Sequence, residues 1–270
     1  MNAAAPVSVV MPCYRCAATV TRAVLSVAAQ TTRPAELILV DDASGDETLQ
    51  QLHALQAQYG AWIRVVSLHA NAGAASARNA GWKLATQPYI AFLDADDAWH
   101  PRKIEIQYGY MQRHPEVALS AHLCRQSPAH APGTITWPMK WAGDVRAITW
   151  PQLLLRHQFV TPSVMLKRDI APRFFEGARH MEDHRLWLEI VGLPLPAVRL
   201  EAELAAVSKA AYGASGLSAD MWRMERAELA NYRYFHALGK LSILQLLLLQ
   251  GYSLVKFMRR LLIVLLQHRT

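Results

Sequence analysis

The sequence predicts an α/β fold in which a mostly parallel sheet is covered by helices on both faces. Over residues 7–93, short apolar runs alternate with segments that repeat apolar residues at helical spacing. Each run is apolar almost throughout, which is typical of strands buried on both faces of a parallel sheet. Polar side chains follow the first, second and fourth runs, at the sheet edge where α/β proteins bind ligands.

The first part of the chain is a repeated strand and helix unit. Strands are predicted at residues 7–11, 36–40, 62–68 and 89–93. Helices are predicted at residues 17–30, from residue 44 to about residue 59, and at residues 74–85. Ser44 and Glu47 have the spacing of a capping box, which predicts that Ser44 caps the second helix.

Beyond Pro101 the pattern is less regular. Helices are predicted at residues 102–113, 183–191 and 221–238, and extended segments at residues 117–122 and 159–166. No clear linker precedes residue 215. We therefore expect one domain over residues 1–215 and a helical C-terminal extension over residues 216–270.

Composition and charge exclude several classes of protein. The chain has 270 residues, 52% hydrophobic and 18% charged, which allows a full core without the continuous apolar runs of a polytopic membrane protein. The net charge of +7 comes mostly from the tail, where six Lys or Arg residues follow Glu228 and no acidic residue does. We expect no nucleic-acid partner. Three cysteines and an N-terminus without signal-peptide features predict a cytoplasmic protein.

Three carboxylates follow the fourth predicted strand, in the segment YIAFLDADDAW. Asp94 and Asp96 lie two residues apart, so on an extended strand end both would point to one side. Hard oxygen ligands of this kind suit Mg²⁺ or Mn²⁺, which keep open positions for the oxygens of a diphosphate. The alternative is a solvated acidic turn in which Asp96 or Asp97 caps the next helix.

A second acidic pair, Asp41 and Asp42, follows the second predicted strand in the segment LVDDAS. In dinucleotide-binding folds, a carboxylate at this place accepts hydrogen bonds from a ribose. The glycine fingerprint of those folds is missing, because the first strand is followed by MPCYRCAAT. A nicotinamide-dependent oxidoreductase is therefore disfavoured.

Two further segments carry charged side chains among small or apolar residues. In NAGAASARNAGW, Arg78 offers planar, charge-assisted hydrogen bonds to a phosphate, and the alternative is a surface salt bridge. In HMEDHRLWLEI, Glu182 and Asp183 stand where a predicted helix begins. Acidic residues at that place are also stabilised by the helix dipole without any catalytic role.

The order of five segments resembles the family 2 glycosyltransferases of the GT-A fold over about residues 6–215. The segments are VSVVMPCY, ELILVDDASGDET, NAGAASARNAG, YIAFLDADDAWHP and HMEDHRLWLEI. The resemblance implies a Rossmann-like, mostly parallel sheet with flanking helices. It implies transfer of a sugar from a nucleotide-sugar donor to an acceptor with inversion at the anomeric carbon, with Mn²⁺ or Mg²⁺ as cofactor.

The resemblance assigns donor-binding roles to five residues. Pro12 and Tyr14 resemble the loop on the nucleotide side of the site, and Asp42 resembles the carboxylate that contacts the base. Arg78 stands where the family has an arginine near the diphosphate. Asp94 resembles the first carboxylate of the DxD pair, which engages the ribose.

The resemblance also assigns the metal ligands and the general base. Asp96 resembles the direct metal ligand, with Asp97 as the next candidate. Glu182 and Asp183 match the ED motif, in which the second carboxylate is the base. An inverting displacement needs a group that takes the proton of the attacking hydroxyl, and a carboxylate within hydrogen-bond reach does this. Asp183 is the predicted catalytic residue.

Two other functions stay open at this point. A non-catalytic scaffold that binds a nucleotide sugar would keep the fold, but the metal, diphosphate and base candidates are all present and argue against it. A nucleotidyltransferase also uses an α/β sheet with paired carboxylates. It would release pyrophosphate, whereas a glycosyltransferase releases a nucleoside diphosphate.

The C-terminal segment, residues 241–266, is apolar but contains Lys256, Arg259 and Arg260. Because cations are costly at the centre of a bilayer, we expect an interfacial helix whose cations face anionic headgroups. This would place the protein at the inner face of the cell membrane and favour a glycan or lipid-linked acceptor. The alternative is a helix packed on the catalytic domain or in a homodimer.

Overall fold

The computed structural model describes residues 4–126, 141–208 and 220–267. Within these residues, one sheet contains nine strands. They are β1 (Ala5–Cys13), β2 (Pro34–Asp41), β3 (Ile63–Ser67), β4 (Tyr89–Phe92), β5 (Ala98–Trp99), β6 (Leu119–Gln126), β7 (Val145–Ala147), β8 (Met165–Lys167) and β9 (Ala197–Val207). The predicted boundary near residue 215 lies outside the described residues.

The sheet has the order β3-β2-β1-β4-β8-β6-β9-β5, and β7 pairs with β9. The strands β3, β2, β1 and β4 are parallel, as the sequence predicts. Beyond β4 the sheet is mixed, because β8 is antiparallel to both β4 and β6, while β6 and β9 are parallel. The carboxyl ends of the four parallel strands therefore share one edge.

Helices cover both faces of the sheet. They are α1 (Val20–Ala28), α2 (Thr48–Tyr59), α3 (Ala74–Leu84), α4 (Lys103–Arg113), α5 (Trp150–Leu155), α6 (Glu182–Val191), α7 (Met221–Ala237) and α8 (Ile243–Gln267). Val9 of β1 packs in the apolar cluster that contains residues of α1, α2 and α4. Its neighbour Val10 packs with residues of α3, α6 and α7 on the other face. This alternation is the reason that β1 is apolar throughout.

The helix α3 packs closely on the sheet at Gly81. A Cβ atom at this position would lie 2.4 Å from Cγ1 of Val10 and 3.2 Å from Cγ2 of Val40. No side chain fits in this space unless the valines move. The close contact holds α3, and with it Arg78, against the carboxyl ends of β1 and β2.

Several local predictions are wrong. The helix α2 begins at Thr48, and Ser44 donates its hydroxyl to Oδ1 of Asp41 instead of capping the helix. Residues 159–166 were predicted to be extended. Thr161–Ser163 form a 3₁₀ turn instead, and the strand β8 begins only at Met165. The elements β5, β7, β9 and α5 were not predicted from the sequence.

The two C-terminal helices pack on each other and on the rest of the protein. Tyr232, Phe235 and Leu246 belong to the same apolar cluster as residues of the sheet. The ammonium of Lys256 pairs with Glu228 at 2.9 Å. Among the described residues, no helix combines the length and the apolar character needed to cross a bilayer.

Candidate active site

The segment DADD forms a tight turn at the carboxyl end of β4. The amide of Asp97 donates to the carbonyl oxygen of Asp94 at 3.0 Å, which closes the turn. The extended geometry expected for Asp94 and Asp96 is wrong, because β4 ends at Phe92 and the chain turns before β5 begins. Asp94 and Asp96 remain partly exposed, whereas Asp97 is 5% exposed.

Two residues from distant parts of the chain anchor this turn. Nη2 of Arg22, on α1, donates to the carbonyl oxygen of Asp96 at 2.5 Å and to Oγ of Ser208 at 3.0 Å. The Ser208 hydroxyl donates to the same carbonyl oxygen, and its amide donates to Oδ1 of Asp97 at 2.9 Å. One oxygen of Asp97 therefore binds the chain just after β9.

Asp42 organises the loop that leads into α3. Its carboxylate accepts hydrogen bonds from Nδ2 of Asn71 at 2.9 Å and from the amides of Ala72 at 2.7 Å and Gly73 at 2.8 Å. Gly73 has a φ of 87°, a backbone conformation that glycine adopts without strain. A carboxylate has about four lone-pair directions, so three donors leave room for one more.

The loop after β1 lies beside Asp42. Pro12 pairs with Val40 across the sheet, and the amide of Asp42 donates to the carbonyl oxygen of Cys13 at 2.8 Å. Tyr14 is 46% exposed. The structure thus places the predicted nucleotide-side residues Pro12 and Tyr14 at the same sheet edge as Asp42.

Arg78 connects two motifs that are far apart in the sequence. Its Nη2 lies 2.7 Å from Oδ1 of Asp94, and its Nη1 lies 3.3 Å from Oε1 of Glu182. The Arg78 side chain is 6% exposed, so this pairing takes place in a largely dry environment. The salt bridge considered for Arg78 is present, but it is buried instead of lying at the surface, and it joins the DADD turn to the ED motif.

Arg78 has more negative than positive charge around it. Burial by itself lowers the pKa of Arg78, but the carboxylates of Asp94 and Glu182 outweigh burial and hold it above its ordinary value. Burial, with the neighbouring Asp183, raises the pKa of Glu182, although Arg78 acts in the opposite direction. The site therefore concentrates negative charge around one cation.

Glu182 and Asp183 are the first two residues of α6. The residue before them, Met181, has a φ of 58°, a left-handed conformation that is uncommon for a side chain of this size. Nδ2 of Asn231, on α7, donates to the Met181 carbonyl oxygen at 3.1 Å. A hydrogen bond from α7 thus fixes the backbone where α6 begins.

The Asp183 carboxylate is held in a defined orientation. Its Oδ2 accepts a hydrogen bond from the hydroxyl of Thr161 at 3.1 Å, and its Oδ1 accepts one from the amide of His184 at 2.7 Å. Asp183 is only partly buried. The carboxylate is therefore fixed and still accessible, as a general base requires.

The carboxylates of the DADD turn suit a metal ion that has few protein ligands better than one that is enclosed by protein ligands. In the described ranges, no group of three or more His, Cys, Asp or Glu side chains is arranged to hold a metal ion. Mg²⁺ and related ions in nucleotide enzymes are commonly bound by one or two carboxylates, with substrate phosphates and water as the other ligands. Asp96, partly exposed in an anchored turn, suits a site of that smaller type.

Four residues that support the site were not identified from the sequence: Arg22, Thr161, Ser208 and Asn231. Each acts through one hydrogen bond or a few hydrogen bonds to a motif residue. Guanidinium, hydroxyl and amide side chains of this kind are common on any surface, and no spacing marks them. Only the fold, which brings α1, α7 and the end of β9 to the motifs, identifies them.

A mixed α/β sheet with carboxylates and a buried arginine at the carboxyl edge of its parallel strands has the architecture of an enzyme site. The family model described as Glycosyl transferase family 2 matches residues 8–170. The chain therefore belongs to glycosyl transferase family 2, and the resemblance of its motifs to that family is confirmed.

Known proteins agree with this assignment. The chain is 31% identical over 185 residues to the Escherichia coli protein WfgD, a UDP-Glc:alpha-D-GlcNAc-diphosphoundecaprenol beta-1,3-glucosyltransferase, covering 68% of this chain and 69% of that protein. The structure of S. aureus TarS 1-349 with UDP-GlcNAc has a TM-score of 0.64 and 17% identity, covering 84% of this chain and 66% of TarS.

A second solved structure has the same fold. The mannosyltransferase PcManGT from Pyrobaculum calidifontis, in complex with GDP-Man and Mn²⁺, has a TM-score of 0.59 and 15% identity. The match covers 86% of this chain and 64% of that one. These likenesses confirm the GT-A fold expected from the sequence.

Proposed function

We propose that this chain transfers a sugar from a nucleoside-diphosphate sugar to a lipid-linked glycan acceptor, with inversion at the anomeric carbon. The observation that carries the proposal is the pairing of Arg78 with both Asp94 and Glu182. It brings the turn that would bind the donor next to the helix that carries the proposed base, Asp183. An acceptor hydroxyl at Asp183 would then lie close to a donor sugar at the DADD turn.

The donor binds along the carboxyl edge of β1, β2 and β4 in this proposal. Tyr14 stacks on the base, Asp42 accepts a hydrogen bond from it, and Asp94 contacts the ribose. In support, Tyr14 is exposed at this edge and Asp42 retains acceptor capacity beyond its three protein donors. TarS and PcManGT, which share the fold, were solved with nucleotide sugars.

Asp96 would hold a Mn²⁺ or Mg²⁺ ion, with Asp97 as a neighbouring carboxylate. When bound, such an ion supplies Lewis-acid stabilisation of the negative charge that develops on the leaving diphosphate. Arg22 and Ser208 hold the Asp96 backbone in place for this role. Arg78 holds the DADD turn next to the helix α6. Its predicted proximity to the diphosphate is part of the same proposal.

Asp183 takes the proton from the attacking hydroxyl. Thr161 and the amide of His184 orient its two oxygens, so that a lone pair is directed at the acceptor without rotation of the side chain. The hydroxyl then attacks the anomeric carbon from the face opposite the diphosphate, and the nucleoside diphosphate leaves. Positioned proton transfer of this kind contributes about 10²–10⁴ in rate.

The acceptor class follows from the relatives rather than from the geometry. WfgD is named for transfer to a sugar linked to diphosphoundecaprenol. We extend this class of acceptor to the present chain, in the synthesis of a cell-surface polysaccharide. The reaction would then take place at the inner face of the cell membrane, where nucleotide sugars and the lipid-linked acceptor are both present.

The proposal is tested by measuring the release of nucleoside diphosphate from a panel of nucleotide sugars with and without Mn²⁺. Release from one donor, lost in Asp96→Asn and retained in Asp169→Asn, would support metal-dependent transfer chemistry. Asp169 is a suitable control because its side chain is 84% exposed. With an undecaprenyl-diphosphate-linked sugar as acceptor, Asp183→Asn should lower kcat by at least about 10²-fold.

Two outcomes would favour the alternatives. Release of pyrophosphate would indicate a nucleotidyltransferase. Absence of any release, with no calorimetric binding of any donor, would indicate a scaffold without catalytic activity. The intact site, in which two hydrogen bonds orient Asp183, argues against the second outcome.

A further inference from the structure

The helix α8 has one buried face and one exposed face, and two of its three cations lie toward the buried face instead of the headgroup side expected from the sequence. Lys256 and Arg260 point toward α7, where they pair with Glu228 and Glu225, each at 2.9 Å. Both glutamate side chains are at most 6% exposed. The two cations therefore hold α8 on the protein and do not face the solvent side of the helix.

The opposite side of the helix is apolar and exposed. We call it the outer face of α8, and each of its members is between 46% and 68% exposed. Its members are Ile243, Leu244, Leu247, Leu248, Leu254, Val255, Met258 and Leu262. These residues recur at helical spacing and form one continuous stripe. Contiguous apolar surface of this kind marks an interaction site.

The inward ion pairs fix the direction in which the outer face points. Ser253, which is fully buried, donates its hydroxyl to Oε1 of Glu225 at 2.8 Å, and Phe257 is 2% exposed. Rotating α8 to bury the stripe would expose these groups and leave Glu225 and Glu228 buried without their cations. That cost keeps the stripe directed away from the protein.

The charge along α8 and the turn before it is positive only. No acidic residue follows Glu228 in the sequence, and Glu228 itself is neutralised by Lys256. Arg259, on α8 next to Met258 of the stripe, is an exposed cation. An exposed tryptophan, Trp222, packs against Phe257 with ring centres 4.7 Å apart. An exposed apolar stripe with a cation beside it is complementary to a bilayer with anionic headgroups.

A second copy of the chain fits this face less well. In a twofold dimer, each patch meets the same patch of its partner, so Arg259 would meet a helix that carries cations and no carboxylate. Anionic lipid headgroups supply the missing negative charge. The charge pattern therefore favours lipid over a homodimer.

We propose that the outer face of α8 is a docking surface for an anionic lipid bilayer, with Arg259 toward the headgroups and Lys256 and Arg260 toward the protein. The inference deepens the proposed function, on which it rests, by naming the surface that meets the membrane bearing the acceptor. It differs from the expectation that all three cations face headgroups.

The test is sedimentation of the full-length protein with vesicles of phosphatidylcholine, with or without phosphatidylglycerol. Wild type should sediment with the anionic vesicles. The variant Leu248→Glu/Val255→Glu should lose sedimentation at least tenfold. The matched control, Leu25→Glu/Leu195→Glu, changes exposed apolar residues elsewhere and should sediment like wild type.

Substitutions of two cations on α8 distinguish the orientation of the helix in the structure from the orientation expected from the sequence. Arg259→Gln should weaken sedimentation with anionic vesicles several-fold, whereas Lys256→Gln should leave it within twofold of wild type. An equal loss in both variants would overturn the proposed orientation. Circular dichroism confirms that each variant is folded before its sedimentation is compared.

Three results would overturn the proposal as a whole. They are no sedimentation of wild type, unchanged sedimentation of Leu248→Glu/Val255→Glu, and a lipid-free dimer that the same variant dissociates. Release of nucleoside diphosphate from a soluble donor, measured without lipid, keeps the two proposals separate. A variant that loses vesicle binding but retains this release localises the failure to docking and not to transfer chemistry.

Discussion

Arg78 shows how a single side chain joins motifs that the sequence keeps apart. The motifs themselves were identified from the sequence: the DADD segment and Arg78 from residue type, and the ED motif from the family resemblance. The contacts between these motifs were not predicted, because the sequence does not distinguish a buried arginine from an exposed one. The burial of Arg78 and its pairing with two carboxylates depend on the close packing of α3 at Gly81.

We predict that Arg78→Gln lowers the free energy of unfolding by about 3–5 kcal/mol. Removing one partner of a buried ion pair leaves the other charge buried without compensation, here Glu182 and in part Asp94. Urea-induced unfolding measures the change. Arg102→Gln is the control, because its pairing with Glu105 is solvent-exposed and its loss should leave the unfolding midpoint unchanged. Equal effects of the two variants would contradict the prediction.

His122 should make the protein sensitive to acid. Its side chain is buried on β6, and burial, assisted by the positive charge of Lys103, lowers its pKa to about 3. An unfolded histidine has a pKa of about 6.5, so between these values the unfolded state binds one more proton. The contribution of His122 to stability is therefore retained above pH 6.5 and falls as the pH drops, by about 1.4 kcal/mol per pH unit.

The measurement is the unfolding free energy in urea between pH 5 and pH 7 for wild type and His122→Gln. The variant should lose this part of the pH dependence, because it has no proton to bind in the unfolded state. His53→Gln, which changes an exposed histidine on α2, should keep the wild-type slope. Parallel slopes for wild type and His122→Gln would show that His122 does not contribute to the acid sensitivity.

At the scale of the element, the predictability of a strand follows its burial pattern. The strands β1, β2 and β4 were found because continuous apolar runs have few other interpretations. The strand β9 was missed because AVRLEAELAAV is rich in Ala and Glu, which are depleted in strands, although its burial alternates in places as a strand requires. The strands β5 and β7 are too short, at two and three residues, to show any period.

The packing of α3 on the sheet provides a prediction at the same scale. Gly81→Val should destabilise the protein by about 1–3 kcal/mol, because its side chain would overlap Val10 and Val40 in a close-packed region. Thermal unfolding detects the change. The control is Gly109→Ala on α4, where the nearest group to a new Cβ is the flexible end of Arg113 at 3.5 Å. That substitution should be neutral or stabilising, since alanine favours a helix over glycine.

At the scale of the whole molecule, the C-terminal helices share the core of the sheet. Tyr232, Phe235 and Leu246 pack in the same cluster as Val10 and Phe92. We therefore predict one cooperative unfolding transition, with coincident curves from far-ultraviolet circular dichroism and tryptophan fluorescence. An early separate loss of helical signal would show that α7 and α8 unfold on their own.

The hydrogen bond from Asn231 to Met181 has a consequence for how the protein is divided. The family match ends at residue 170, before α6 begins. A shortened protein cut at that limit would contain the DADD residues but lack both Asp183 and Ser208, which anchors the turn. One cut after α6 would contain Asp183 and lack the amide that fixes the backbone beside it. The smallest piece that preserves the whole site therefore extends through α7, well past the sequence by which the family is recognised.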